Sequence, residues 1–338
     1  MNLFGYREHR ERVPGSTVHD YRRVFRFSEE NVVRLCDEFL GHENIRRGHG
    51  LTRKEKMECF LRYVGDPGFQ INVGEKLRVN QGTISRAVHE VTTKICQKAA
   101  DWITFPRTDR EMARKQEQWL QKFNHPHCIG VIDGSLVPIK RPPANCHPDE
   151  YVCRKGFTAI NTLVVCDSVE RFMYVDVKWP GCTHDARVFS LSSIKPKLEQ
   201  FQDSEQAPPL LGDSGFSIAP YMMVPFRNPV TEREKNYNRL LVKERVIIER
   251  VIGQWKRRFP ILLSPIRIKF ENIPSIILAT AVLHNVAKTY ADDIEEQEDM
   301  AIHMDMENRI GGEEYDEQVQ YLRINGQARR RRISESMV

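Results

Sequence analysis

The stretches HCIGVID (127–133), FTAINTLVVCD (157–167) and RFMYVDVKW (171–179) decide the fold. Each is a short run rich in Val, Ile, Phe and Cys, bounded by a turn signal. The three are read as consecutive strands. VVCDSVERF (164–172) supplies the turn between the second and third. GCTHDARVFSLSSI (181–194) reads as a loop opening a helix. PPLLGDSG (208–215) is a short apolar strand entering a turn, and YMMVPF (221–226) a fifth strand. A helical hairpin follows, with Arg239 to Phe259 as its long arm, and then a largely buried helix over 273–290. Strands and helices in this order give an α/β domain with a mixed sheet and flanking helices.

Two apolar runs end in a carboxylate: Asp133 in GVIDGS and Asp213 in LLGDSGF. A third carboxylate, Glu249, sits in VIIERVIGQWKRRF, whose Ile248, Val251, Ile252, Trp255 and Phe259 form a stripe facing the sheet. Thirty-five residues separate Asp213 from Glu249. Taken singly, each acid has a plain explanation. Asp before Ser or Gly is a common turn former, and Glu249 has Arg245 one turn away. As an ordered set, two strand-end aspartates and a helix glutamate can converge on hard divalent cations. Such oxygen ligands suit Mg²⁺ or Mn²⁺. A pair of these ions is the usual device for in-line attack on a phosphodiester.

The chain of 338 residues is long enough for two domains. Its 40% hydrophobic and 29% charged residues fit a soluble globular protein. No apolar run is long enough to span a bilayer. The eight cysteines, at 36, 59, 96, 128, 146, 153, 166 and 182, form no CxxC pair and read as reduced, intracellular thiols. The net charge of +5 conceals an asymmetry, because 12 acids crowd into residues 292–317. The remainder is strongly basic, which suits a polyanionic partner such as DNA.

Four regions follow from these patterns: a flexible basic arm (1–24), a helical region (25–124), the mixed-sheet domain (125–290) and an acidic then basic tail (291–338) expected to be disordered. In the helical region, Ser28–Leu40 and Lys54–Val64 carry helical apolar stripes. Ile71–Leu77, the turn Arg78-Val79-Asn80 and a helix over Gln81–Lys98 resemble a helix-turn-helix, with Asn80 as N-cap. Ile84, Val88, Val91 and Ile95 form its buried face. Gln81, Thr83, Ser85, Arg86 and His89 lie outside that face, where a recognition helix reads the major groove. An ordinary helical hairpin with a polar face fits the same pattern.

Other candidates cluster near the acids. His184 and Asp185 sit at the start of a helix, with Thr183 as a candidate N-cap. Asp185 is either a dipole partner or a helper beside the metal, with His184. Cys146, His147 and Cys153 lack a fourth ligand and regular spacing for zinc. Asp167 and Asp176 read as hairpin-shaping residues, and His284 as a satisfied core histidine. Arg154, Lys155, Arg250, Lys256 and Arg257 are candidates to hold a phosphate backbone, or simply solvated surface. The four arginines at 329–332 read as a nuclear-localisation or nucleic-acid patch, or as a solubilising tail.

GVIDGS, YVCRKGFTAINTLVVCD, WPGCTHDARVF, LLGDSGF, VIIERVIGQWKRRF and AVLHNVAKTY, in this order, resemble PIF/Harbinger transposases and the nucleases derived from them. The resemblance covers residues 20–290. It implies an RNase H-like catalytic domain and a triad of Asp133, Asp213 and Glu249, with Asp185 in the family's HD motif. It further implies two divalent ions, Mg²⁺ or Mn²⁺, with Asp133 bridging them. DNA is the implied substrate. A nuclear location, alongside the cytoplasm, and a separate Myb/SANT-like DNA-binding partner also follow. Association with a second copy is left open. Two classes of function remain on this reading. One is a metal-dependent DNA endonuclease, with or without strand transfer. The other is a domesticated DNA-binding or adaptor protein whose catalytic pocket is unused.

Overall fold

Five strands form one mixed sheet in the order β3-β2-β1-β4-β5. β1 (Gly130–Pro138), β2 (Ala159–Cys166) and β3 (Phe172–Pro180) make an antiparallel meander. β4 (Leu210–Leu211) lies parallel to β1, and β5 (Met222–Met223) parallel to β4. The computed structural model describes residues 18–41, 50–66, 79–124, 128–200, 208–292 and 317–336.

The three long strands fall where the apolar runs predict. β2 is buried along its whole length, as a strand covered on both faces must be. β1 differs from expectation in one respect. It continues past Gly134 and Ser135 to Pro138, so Asp133 lies in mid-strand opposite Val164. Gly134-Ser135 was expected to be an exit turn; the ladder with β2 holds it extended instead. β4 and β5 are only two residues long. Prolines at 208, 209, 220 and 225 flank them and cannot donate to a ladder.

The helices before the sheet are α1 (Val18–Phe25), α2 (Glu29–Leu35), α3 (Arg53–Val64), α4 (Gln81–Gln97), α5 (Ala99–Trp102) and α6 (Asp109–Phe123). A π-helical turn, Cys36–Leu40, extends α2. Asn80 caps α4 as expected, its side chain accepting from the Gly82 amide at 2.8 Å. The buried face is Ile84, Ala87, Val88, Val91 and Ile95. The first helix expected of the pair, Ile71–Leu77, lies outside the described residues, as do residues 1–17 of the basic arm. Residues 18–24 of that arm are helical, within α1. The chain breaks around Pro106, and α6 starts afresh at a Thr108–Glu111 capping box.

After the meander come α7 (Asp185–Ser190), α8 (Lys195–Glu199), α9 (Glu232–Arg258), α10 (Ile273–Thr289) and α11 (Glu317–Ser336). The hairpin expected before Phe259 is instead one 27-residue helix, opened by a Thr231–Glu234 capping box and ended before Pro260. The expected disordered tail is corrected over 317–336, which is helical. Charge and low aromatic content hid a sparse stripe of Leu322, Gly326, Arg330 and Ile333, spaced as one helix face.

On one face of the sheet, α9, α10 and the N-terminal helices share a continuous apolar core that includes Phe60, Ile84, Val164, Ile248, Trp255 and Ile277. The N-terminal helices therefore do not have a core separate from the sheet domain. A buried ionic seam also joins them to it. Asp292, fully buried, accepts from the Ser28 amide at 3.0 Å and from Asn31 Nδ2 at 2.6 Å. It also pairs with Arg22 at 3.3 Å and Arg258 at 3.8 Å. The opposite face packs Ile132, Leu163 and Val165 against Val188, Phe189, Phe216 and Met222. Among the described residues, no helix is long and apolar enough to cross a membrane.

Candidate active site

Strand alternation decides which acids can meet. Val131, Val137 and Val164 belong to the core under α9, whereas Ile132 and Leu163 belong to the opposite one. Asp133, two residues from Val131, therefore points toward the α9 side. Val131 pairs with Leu211 in the parallel ladder. Asp213 follows Leu211 by two residues, as Asp133 follows Val131, although β4 itself ends at Leu211. Adjacent strands are about 5 Å apart. Asp133 Oδ1 accepts from the Gly134 amide at 2.8 Å, and Asp213 Oδ1 from the Gly215 amide at 2.9 Å.

Glu249 comes from the helix that covers this face. Seven residues on, and so on the same side of α9, Lys256 donates to the Leu136 carbonyl at 2.8 Å. That contact turns the Glu249 side of the helix toward the second half of β1. Glu249 is half-buried, and it has no ion pair or side-chain hydrogen bond among the described residues. Its neighbour Arg245 is buried and does not pair with it. Burial pushes the Lys256 ammonium down to about 8; Lys155 lowers it further and Asp133 opposes the shift.

The donor set fits a hard divalent ion in its chemistry. It offers carboxylate oxygens, one pair of them on a half-buried acid with no ion pair or side-chain hydrogen bond among the described residues. Beyond Asp133, the hydroxyls of Ser135 and Thr162 face each other across the β1–β2 ladder, both buried and without a hydrogen-bond partner. Such groups suit a hydrated ligand. The acids do not close into a cage as placed: among the described residues, no three His, Cys, Asp or Glu side chains are grouped to hold an ion.

Asp185 lies on the other side of β1. An added Cβ on Gly134 would come 2.1 Å from Asp185 Oδ1, so this glycine makes the room for the carboxylate. Asn161 Nδ2 donates to Asp185 Oδ1 at 2.7 Å and to the Thr183 carbonyl at 2.8 Å. Asp185 is buried at the first position of α7. His184, not Thr183, is the N-cap residue, and its side chain is exposed. A small cleft of about 50 Å³ is lined by Gly134, Leu136, Arg154, Asn161, His184 and Asp185, among others. Sequence reasoning missed Asn161 and Gly134. No local signal marks either one, because their role depends on a loop 24 residues beyond Asn161.

The basic candidates separate. Arg154 and Lys155 are exposed on the tight turn before β2, and Arg257 is exposed on α9. Arg250 is turned to the β2–β3 turn, where it pairs with Glu170 at 3.2 Å. Lys256 bolts α9 to β1. Gln81, Ser85 and Arg86 are exposed on the first turns of α4, with Thr83 bonded to Arg86 at 3.0 Å. Arg329 and Arg330 of the basic tail run are engaged with backbone carbonyls, while Arg331 and Arg332 are exposed. Asp167 shapes the β2–β3 turn, accepting from the Val169 and Arg171 amides and pairing with Lys115 at 2.6 Å. His284 is fully inside the core and bonded to the Glu170 carbonyl at 2.9 Å.

The family described as "DDE superfamily endonuclease" matches residues 132–285, a span holding all three acids. The mouse protein named "Putative nuclease HARBI1" is 30% identical over 252 residues, covering 74% of this chain and 71% of that protein. This chain belongs to the harbinger transposase-derived nuclease family. The human protein of the same name is 29% identical over 252 residues, with the same coverage. "Protein ALP1-like" of Arabidopsis thaliana is 22% identical over 312 residues, covering 86% of this chain and 75% of the relative. No solved structure matches. The five-stranded mixed sheet with helices on both faces is the RNase H-like domain of a DDE endonuclease.

Proposed function

We propose that this protein is a divalent-metal-dependent DNA endonuclease of transposase origin. The observation that carries this reading is that Asp133 lies on the sheet face covered by the helix that bears Glu249, while Asp213 follows the strand paired with β1. Asp133 and Asp213 would hold one ion, and Glu249 would complete the site for a second. Ions in such a site lower the pKa of water and neutralise charge on the leaving oxygen. The chain's own part is to fix the acids on a rigid strand and a bolted helix, and to hold the phosphate. Exposed Arg154 borders the cleft, and with exposed Lys155 beside it in the same turn places the backbone. The first turns of α4 offer Gln81, Ser85 and Arg86 to a groove. A nuclear location, a Myb/SANT-like partner and strand transfer by the freed 3′-OH belong to the same proposal.

A second reading, a DNA-binding adaptor with an idle pocket, is favoured by the open spacing of the acids. Nicking of supercoiled plasmid with Mg²⁺ or Mn²⁺ separates the two. Wild type is expected to nick, while Asp133→Asn, Asp213→Asn and Glu249→Gln stay at background with unchanged melting. Normal nicking by Asp133→Asn sinks the site assignment. DNA binding without nicking, repeated with a Myb-like partner present, favours the adaptor.

A further inference from the structure

The C-terminal helix α11 lies beyond the span matched by the family, which ends at residue 285. It packs on the weakest part of the sheet. β5 is the edge strand, and β4 and β5 share only two residue pairs. Yet β4 leads directly into Asp213, and backbone bonds tie the acid's chain to β5. The Leu210 amide donates to the Tyr221 carbonyl at 3.0 Å, and the Gly212 amide to the Met223 carbonyl at 2.9 Å. What holds 219–226 in place therefore holds Asp213.

α11 grips that segment at both ends. Gly326 lies against the Ala219 backbone so closely that an added Cβ would come 2.8 Å from Ala219 Cα and carbonyl carbon. Arg329 Nη1 donates to the Pro220 carbonyl at 3.0 Å. Arg330 Nη1 donates to the carbonyls of Val224 (3.3 Å) and Pro225 (2.9 Å), and its guanidinium lies over the Phe226 ring, 3.8 Å from the centroid. Phe226 is in turn pinned to α9 by Asn238, through bonds of 2.8 and 2.9 Å. Ile333 is buried in the core under α9, and Leu322 packs on the opposite core. Two prolines flank β5, so carbonyls on either side of it are taken by arginine rather than by another strand.

We propose that α11 is a brace in cis for the second acid, fixing the Asp213 segment beside β1. This rests on the reading of Asp133, Asp213 and Glu249 as the metal-binding set. Gly326 and Arg330 are positioning residues that act through 219–226. The test uses the full chain carrying Gly326→Ala or Arg330→Ala. The first substitution favours the isolated helix, so any loss reports docking rather than helix formation.

Hydrogen exchange over 208–226 is expected to rise by about tenfold, while 159–180 is unchanged. Mn²⁺ affinity falls, and kcat for plasmid nicking drops roughly tenfold with KM for DNA held. Arg330→Lys recovers part of both. In an Asp213→Asn background, Gly326→Ala changes Mn²⁺ affinity no further. Unchanged exchange over 208–226 in both alanine variants overturns the brace. Raised exchange with unchanged Mn²⁺ affinity overturns its action on Asp213. A wild-type protein that nicks nothing counts against the nuclease reading alone, because the exchange comparison still judges the brace.

Discussion

Asp133 lies within β1 and Asp213 just beyond the neighbouring β4, yet very different amounts of structure hold them. Asp133 sits in the middle of a nine-residue strand with a ladder of eight pairs to β2 on one side. Asp213 follows a two-residue strand, paired on either side over two residues. The β1–β3 half is a self-sufficient meander clamped by α9, α10 and the N-terminal helices. The β4–β5 half depends on neighbouring helices for its shape. A site built this way has one fixed ligand and one whose place can be tuned from outside the strand.

Three perturbations can break or sharpen this contrast. The largest expected effect is at the ionic seam of the strong half. Asp292→Ala leaves Arg258 buried without its carboxylate and should cost about 3–5 kcal/mol in urea unfolding. A Gly326→Ala variant that destabilises the fold as much would erase the distinction between the halves. Next is Gly134→Ala, whose methyl would enter the Asp185 carboxylate. Overpacking of that kind should cost about 1–3 kcal/mol. A melting point equal to wild type would mean that Asp185 is not lodged against β1.

The smallest effect is a pH dependence. Burial pushes the His284 imidazole down to about 3, so the folded chain keeps it neutral where the unfolded chain takes up a proton. Stability from this residue is therefore complete above the unfolded pKa of about 6.5 and declines as pH falls from there toward 3. The loss at pH 5.5 should be about 1.2 kcal/mol relative to pH 7. A His284→Phe variant with the same slope would assign the effect to other groups.

The sequence made the strong half legible and the weak half much less so. Runs such as FTAINTLVVCD announce a strand buried on both faces, and Asn80 announces a helix start, because the cause lies within a few residues. His284 was readable as a core residue from its apolar helix alone. Asp133 was misplaced at a strand end because Gly134-Ser135 looks like a turn. Only the partner strand and the carboxylate of Asp185 explain why a glycine stands there. The length of α9 and the docking of α11 were hidden for a similar reason. The stripe on α11 is interrupted by Gly326 and Arg330, whose fitness depends on the backbone of 219–226. That Asp213 follows a strand lying beside β1 became readable only from the pairing of Val131 with Leu211.

That pairing also limits how this gene can change length. One codon gained or lost between Gly130 and Asp133 would turn the first acid to the side of the sheet where Asp185 lies. The same event in the short run before Asp213 would turn away the second. The connections at 140–150 and 191–200 can lengthen or shorten without touching either acid's side. Viable relatives should therefore differ in length in those connections and keep the two short strand segments free of gaps.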